Sequence, residues 1–224
     1  WADHEHRWQA DGFRMTSRGP VSLDLVPRLD VGVSRDDLIG KRVLVVGEQG
    51  VGDQIMFASM LPDLARDAAA VTCVTSARMQ SLFETSFPGM DSRAELDGLR
   101  AGDFDKVLAI ASLGPVYRRA AADFPGTPYL RARDEIVAGW RARLGEKTTR
   151  LRVGVSWRGG ADITRATVRS TTLEALRPLL EREDCEFVNL QYGNVQAEVD
   201  AFNETLPRPI LNFPRAEIEN FEAL

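Results

Sequence analysis

The sequence VLVVGEQGVGDQIMF, residues 43–57, contains an apolar run, three glycines and then apolar residues at helical spacing. This order is typical of a strand, a glycine-rich loop and the first turns of a helix, as in phosphate-binding loops. Asp53 and Gln54 stand where the phosphate-binding pattern has lysine and serine or threonine. Ile55 replaces the third glycine of the dinucleotide-binding pattern. Because Asp53 would repel a phosphate, the loop is better suited to a hydroxyl group that gives its proton to the carboxylate.

Asp53 has two interpretations. In the first turn of a helix, a carboxylate is stabilised by the helix dipole and by unpaired backbone N–H groups, so Asp53 would only stabilise the start of the helix. In the other interpretation Asp53 is a general base, and Gly50, Gly52 and Gln54 beside it contact the substrate. The isolated loop favours the first interpretation, because such loops host many functions.

The composition excludes several classes of protein. With 224 residues, of which 44% are hydrophobic and 27% charged, the chain suits a soluble globular protein of one or two domains. The net charge is −5 and no long basic run occurs, so the pattern of a nucleic-acid-binding protein is missing. No apolar stretch approaches the roughly 18 residues of a membrane span, and the charged N-terminal sequence is unlike a signal peptide. We therefore expect a cytoplasmic protein in which Cys73 and Cys185 are unpaired, buried thiols.

Apolar strand-like segments alternate with helical segments along the chain. The predicted strands cover residues 43–47, 70–75, 104–110, 151–157 and 185–191, and the predicted helices 78–87, 134–144, 172–182 and 195–202. The helix after the glycine loop is expected to carry Ile55, Met56, Met60 and Leu64 on one side and to bend at Pro62. This alternation predicts an α/β fold, a Rossmann-like parallel sheet with helices on both faces.

Changes in composition divide the chain into parts. Residues 1–40 are predicted to be a connector, residues 41–133 a Rossmann-like domain, and residues 134–150 a linker helix with a polar end. A new strand–loop–helix–strand unit begins at residue 151 and continues to residue 224. Because the chain does not begin with Met and ends in a helical sequence, we expect it to be cut at both ends and the second domain to be incomplete.

A second candidate site follows the predicted strand 151–157, where the loop contains Arg158, Arg165 and Arg169. In open α/β sheets, ligands bind at the carboxyl ends of the strands. Guanidinium groups, with hydroxyl groups such as that of Ser170 just before a helix, are suited to a phosphate or pyrophosphate. Gln191, after the next strand, is a further candidate for ligand contact. The alternative is a solvated loop whose threonines cap the following helix, and the spacing favours neither interpretation.

Asp3, His4 and His6 resemble a small metal cluster. Two side chains that are two positions apart on a helix point about 200° apart, which is unsuitable for chelation, so a surface helix is the better interpretation. The sequence shows no other metal-ligand set, and neither a Ser-His-Asp nor a Cys-His arrangement. We therefore predict no metal site and no cofactor.

Taken together and in order, the motifs resemble a known family. The segments are VLVVGEQGVGDQIMFASMLPDL, SLFETSFPGM, FPGTPYL, WRARL, LRVGVSWRGG, VRSTTLEALRPLL and EFVNLQYG. They are similar to the glycosyltransferase-like domain that follows tetratricopeptide repeats in many bacterial proteins, and WADHEHRWQADGF resembles the segment that joins the last repeat to that domain. The domain is in turn similar to the ADP-heptose-dependent heptosyltransferases of lipopolysaccharide synthesis.

This resemblance implies a GT-B architecture, in which the N-terminal domain binds the acceptor and the C-terminal domain binds a nucleotide-sugar. It implies metal-independent, inverting transfer of a sugar to a hydroxyl group of a sugar or protein acceptor. Asp53 matches the family's general base, and Arg169, followed by Arg158 and Arg165, matches the basic residue that contacts the donor phosphates. The repeats imply a protein partner. The rest of the family's donor site would lie beyond residue 224, so we expect the fragment alone to be inactive.

Two other functions remain open. The fold of a glycosyltransferase could serve as a binding or scaffold module without catalysis, which the sequence of the missing donor site would reveal. A nucleotide-binding or NTPase domain built on the glycine loop is disfavoured by Asp53 and Gln54.

Overall fold

The computed structural model describes residues 1–9, 29–146, 149–159 and 169–214. The contacts divide the chain into two compact units, Trp1–Ala132 and Arg133–Leu224. Residues 1–9 and 29–40 of the predicted connector belong to the first unit, and the predicted linker helix belongs to the second. None of the helices within these described ranges is long and apolar enough to cross a membrane.

The first unit is built on a four-stranded parallel sheet. It begins with helix α1 (Ala2–Glu5) and a 3-10 turn (His6–Gln9). The strands are β1 (Arg42–Val46), β2 (Ala70–Val74), β3 (Asp91–Arg93) and β4 (Lys106–Ala109). The other helices are α2 (Val51–Ala58), α3 (Leu61–Asp67), α4 (Gln80–Ser86) and α5 (Gly114–Tyr117).

The order of the strands is β3-β2-β1-β4, and every pair is parallel. All four residues from Val43 to Val46 are buried, because the central strand of a parallel sheet is covered on both faces. Strand β2 pairs with one edge of β1, whereas β4 pairs with the opposite edge of β1. The carboxyl ends of β1 and β4 therefore define a topological switch point, the position at which ligands bind in sheets of this kind.

The glycine loop is followed by two helices rather than one bent helix, which corrects the sequence-based prediction. Helix α2 ends at Ala58, and α3 begins at Leu61 with Pro62 in its first turn. A proline is tolerated there, because the first N–H groups of a helix have no partner within the helix.

The predicted apolar side of this region is also corrected. Met56 is 54% exposed, whereas Met60 and Leu64 are buried. The face that α2 buries is formed by Gln54, Phe57 and Ala58. The break between the two helices explains this difference, because Met56 no longer shares a continuous stripe with the residues of α3.

The second unit has helix α6 (Asp134–Leu144), strands β5 (Leu151–Val155) and β6 (Cys185–Asn189), and helices α7 (Leu173–Leu180) and α8 (Gln196–Asn203). The two strands are parallel, as predicted. Their core includes Trp157, Leu180 and Phe187. Helix α6 is attached to this unit through Phe213, whose ring centre lies 4.9 Å from the Arg143 guanidinium and 4.9 Å from the Trp140 ring centre.

Candidate active site

The glycine loop between β1 and α2 is held close to the end of β2. Gly47 N donates a hydrogen bond of 2.6 Å to Val74 O. A Cβ atom on Gly47 would lie 2.9 Å from Gln54 Oε1 and 3.0 Å from Val74 O, so any side chain at this position would force its neighbours to shift. Two residues later, Gln49 has a φ of 61°, a left-handed conformation that non-glycine residues rarely adopt. Backbone strain of this kind is common near functional sites and persists only when the surrounding contacts enforce it.

Asp53 lies in the first turn of α2 and is partly exposed. Its Oδ2 accepts a hydrogen bond of 3.0 Å from Gly50 N, so the carboxylate stabilises the helix start, as one of the two interpretations predicted. Within the described part of the chain, no basic side chain forms an ion pair with Asp53. A carboxylate in this position can cap the helix and still accept a proton from a bound hydroxyl group.

The other predicted residues of this loop differ in accessibility. Gly50 and Gly52 are exposed, and a Cβ atom on Gly52 would meet nothing within 4 Å. Gln54, in contrast, is fully buried, and its Oε1 accepts a hydrogen bond of 3.1 Å from Ser76 N. The Gln54 side chain thus joins α2 to the end of β2, and its contact with a substrate stays a prediction.

A buried polar network at the switch point was missed by the sequence analysis. Glu48 is fully buried, and its carboxylate accepts hydrogen bonds from Arg7 Nε and Nη2, both at 2.8 Å, and from Ala111 N at 3.1 Å. Arg7 also donates to the hydroxyl group of Ser112 and to Glu5. Since Arg7 and Glu48 are 41 positions apart, the only available signal was a carboxylate directly after a buried strand.

In the second unit, the loop after β5 is closed by contacts between its two ends. Thr171 N donates to Trp157 O at 2.8 Å, and Gly159 N donates to Ser170 Oγ at 3.4 Å. Arg169 and Ser170 are both exposed just before α7. Arg165, a further predicted phosphate contact, lies outside the described residues.

Arg158 is already paired inside the protein. Its Nη2 lies 2.6 Å from Glu198 Oε2, so part of its charge is neutralised without a ligand. Thr172 Oγ1 accepts a hydrogen bond of 3.1 Å from Ala175 N and caps α7, which the alternative interpretation of this loop predicted. Arg158 is thus less available to a ligand, and phosphate contact by Arg158 or Arg169 stays a prediction.

Gln191 organises the ends of β5 and β6. It is 3% exposed, and its Oε1 accepts hydrogen bonds from Ser156 Oγ at 3.0 Å, Trp157 N at 2.9 Å and Arg158 N at 2.7 Å. Its Nε2 donates to Tyr192 O at 3.0 Å. The side chain predicted to line a ligand site thus fixes the backbone that begins the loop, and direct contact with a ligand stays a prediction.

Neither cysteine acts as an exposed nucleophile. Both Cys73 and Cys185 are free and buried, which confirms the expectation of unpaired thiols. Burial raises the pKa of the Cys73 thiol to about 12, so this group stays protonated at neutral pH. Within the described ranges, no group of three His, Cys, Asp or Glu side chains is arranged to hold a metal ion.

A parallel α/β sheet with a glycine loop at its switch point defines the class as Rossmann-like. Two solved structures share the fold. The glycosyl transferase family 9 protein of Veillonella parvula has a TM-score of 0.54 and 12% identity, covering 83% of this chain and 71% of its own. The ADP-heptose LPS heptosyltransferase II of E. coli has a TM-score of 0.50 and 13% identity, covering 79% and 73%. The fold is therefore that of GT-B glycosyltransferases, as predicted.

Among curated proteins, the chain is 31% identical over 210 residues to protein FlbA of Caulobacter vibrioides. The alignment covers 85% of this chain and 35% of FlbA, so the chain spans about a third of the length of this relative. No family model matches the chain.

Proposed function

We propose that this chain contains the acceptor-binding unit and the start of the donor-binding unit of a glycosyltransferase that uses a nucleotide-sugar. The observation that carries this proposal is the position of Asp53, a partly exposed carboxylate in a glycine loop at the switch point of a GT-B-like sheet. Asp53 forms no ion pair with a basic side chain among the described residues, which supports a role in accepting the proton of a substrate hydroxyl group. The proposal includes a cytoplasmic location, a sugar or protein as acceptor, and a protein partner bound through repeats outside this chain.

In the proposed reaction, Asp53 accepts the proton of the acceptor hydroxyl group while the hydroxyl oxygen attacks the anomeric carbon of the donor sugar. The bond between this carbon and the diphosphate oxygen breaks, the diphosphate leaves with the electron pair, and the configuration inverts. Arg169 would neutralise the departing charge, and the hydroxyl group of Ser170 would donate to a phosphate oxygen. Because the charge is compensated by side chains, we expect transfer without a metal ion.

Two substitutions of Asp53 separate the roles of cap and base, when they are made in the full-length protein. Asp53→Asn keeps an oxygen that can accept from Gly50 N but cannot take up a proton, so the transfer rate should fall by about 10²–10⁴-fold with the thermal unfolding midpoint unchanged. Asp53→Ala should lower both the rate and the midpoint. Transfer by Asp53→Asn at most of the wild-type rate would show that the base has been assigned wrongly.

The donor class can be tested by calorimetric titration of the full-length protein with nucleoside diphosphates and nucleotide-sugars in the presence of a chelator. Binding of one nucleotide-sugar that is lost in Arg169→Ala would support the proposal. Arg182→Ala is the matched control, because Arg182 is also exposed but pairs with Asp184. Absence of binding across the panel by a folded protein would favour the catalytically inactive scaffold.

A further inference from the structure

The carboxylate of Glu48 occupies the switch point itself. Glu48 lies two positions after the end of β1. Its Oε1 accepts a hydrogen bond from the N–H group of Ala111, which lies two positions after the end of β4. The carboxylate therefore connects the two loops between which a ligand would enter a sheet of this topology. Arg7 closes the arrangement with two parallel hydrogen bonds, Nε to Oε2 and Nη2 to Oε1, each of 2.8 Å.

The side chains of Arg7 and Glu48 are both almost completely buried. The exposed fraction is 8% for the Arg7 side chain and zero for that of Glu48. Buried charges are retained where their remaining hydrogen bonds are also satisfied. Arg7 meets this condition, because Nη2 donates to Ser112 Oγ at 2.9 Å and Nη1 donates to Glu5 Oε1 at 2.8 Å.

The N-terminal segment that carries Arg7 has anchors of its own. Trp1 covers Gly114, where an added Cβ atom would lie 2.5 Å from the indole ring, and its Nε1 donates to Arg118 O. The His4 ring lies 5.7 Å from the ring of Phe57 in α2. Arg7 is thus placed by contacts that do not involve Glu48, so it can act as a fixed support for the carboxylate.

The loop next to Glu48 needs such a support. Gln49 has a left-handed backbone, and the next residue, Gly50, donates to the Asp53 carboxylate. On the side of β2, the loop is held by Gly47 N and by the Gln54 side chain. On the side of β4, Glu48 holds it, and Arg7 fixes Glu48.

We propose that Arg7 is a positioning residue, which acts through Glu48 to hold the glycine loop in the conformation that presents Asp53 to the acceptor. Arg7 acts through Glu48 and the backbone of the loop, so its effect on Asp53 is indirect. The catalytic part of this inference rests on the proposed function, whereas the effect on the loop does not.

Hydrogen exchange of the full-length protein tests the effect on the loop. Arg7→Lys keeps the charge but loses the two-pronged geometry of the guanidinium. We expect the amides of Gly50 and Gln54 to exchange about tenfold faster or more, with the amides of β2 unchanged. Arg35→Lys is the matched control, because Arg35 pairs with Asp67 in the same two-pronged manner at 2.7 Å elsewhere in the first unit, and it should leave both loop amides unchanged.

Unchanged exchange at Gly50 and Gln54 in Arg7→Lys would overturn the positioning role. If Arg7→Lys does not fold, the double variant Arg7→Met/Glu48→Gln decides the question, because it leaves no unpaired buried charge and keeps a side-chain oxygen that can accept from Ala111 N. Fast exchange at the two amides supports the role, and wild-type exchange overturns it.

Kinetics separate this inference from the proposed function. Arg7→Lys should lower kcat for sugar transfer by about tenfold while the donor KM stays within about twofold, since only the acceptor loop is disturbed. A transfer rate that is unchanged in Asp53→Asn removes the proposed function but leaves the exchange result standing. If Arg7→Lys showed faster hydrogen exchange but an unchanged kcat, only the inferred effect of Arg7 on sugar transfer would be overturned.

Discussion

Gln54 reaches from the first turn of α2 to the end of β2, where its Oε1 accepts a hydrogen bond of 3.1 Å from Ser76 N. A Cβ atom on Gly47 would lie only 2.9 Å from the same amide oxygen. The glycine that follows β1 and the glutamine of α2 therefore depend on each other.

A methyl group on Gly47 should disrupt this approach. Its carbon would lie 2.9 Å from Gln54 Oε1 and 3.0 Å from the backbone oxygen of Val74, and backbone cannot move aside easily. We expect Gly47→Ala to lower the free energy of unfolding by about 1–3 kcal/mol, measured by urea denaturation. Gly52→Ala, with nothing within 4 Å of the added carbon, is the control and should leave stability unchanged or raise it by up to about 1 kcal/mol. Equal stability of the two variants would contradict this account of the loop.

Gln191 should contribute strongly to the stability of the second unit. Gln191→Met removes the acceptor of three hydrogen bonds, among them that from the buried N–H of Trp157. A buried donor without a partner is costly, so the free energy of unfolding should fall by about 2–4 kcal/mol. Chemical denaturation followed by tryptophan fluorescence measures this change. Tyr192→Ser, which alters an exposed neighbour, should stay within about 0.5 kcal/mol, and a loss as large as that of Gln191→Met would argue against a specific role of the amide.

The docking of the N-terminal segment should weaken in acid through His4. Burial, followed by the charge of Arg7, lowers the pKa of His4 below its ordinary value of 6.5, against opposing effects of Glu48 and Glu5. The folded protein thus binds a proton less readily than the unfolded chain, so the contribution of His4 is complete above about pH 6.5 and is lost as the pH falls towards the folded pKa.

The measurement is the thermal unfolding midpoint at about pH 7.5 and about pH 5.5. His4→Asn retains an acceptor for Arg7 Nη1 but does not titrate in this range, so its midpoint should fall less in acid than that of the wild type. His6→Asn, at an exposed position of the same segment, should behave as the wild type does. If the midpoints of the wild type and of His4→Asn fell equally in acid, the assignment of this pH dependence to His4 would be disproved.

The central part of the fold could be predicted from sequence because its pattern is local. The run from Val43 to Val46 is buried on both faces, and the alternation of strands and helices indicates a parallel sheet. Strand β3 (Asp91–Arg93) was missed, because three polar residues form a strand only by pairing with β2. The break after α2 was predicted as a bend, since the pattern shows that Pro62 disturbs a helix but not that a new helix begins there.

The candidate site was predictable only in part, for a similar reason. Asp53 was found because glycines and a carboxylate at fixed spacing identify the loop. The partner of Glu48 is 41 positions away, and nothing in the spacing connects the two. Gln191 was recognised as a residue at the end of a strand, but its three donors, which directly follow the neighbouring strand, depend on tertiary pairing.

The buried pair of Arg7 and Glu48 decides where the first unit can be cut. A shortened protein that begins just before β1 would retain strands β1 to β4 and the glycine loop, but it would lack Arg7 and leave the Glu48 carboxylate without its basic partner. Removing one partner of a buried ion pair costs about 3–5 kcal/mol, a large share of the stability of a small domain. We therefore expect a stably folded fragment of the first unit to include residues 1–9, although none of them belongs to the sheet.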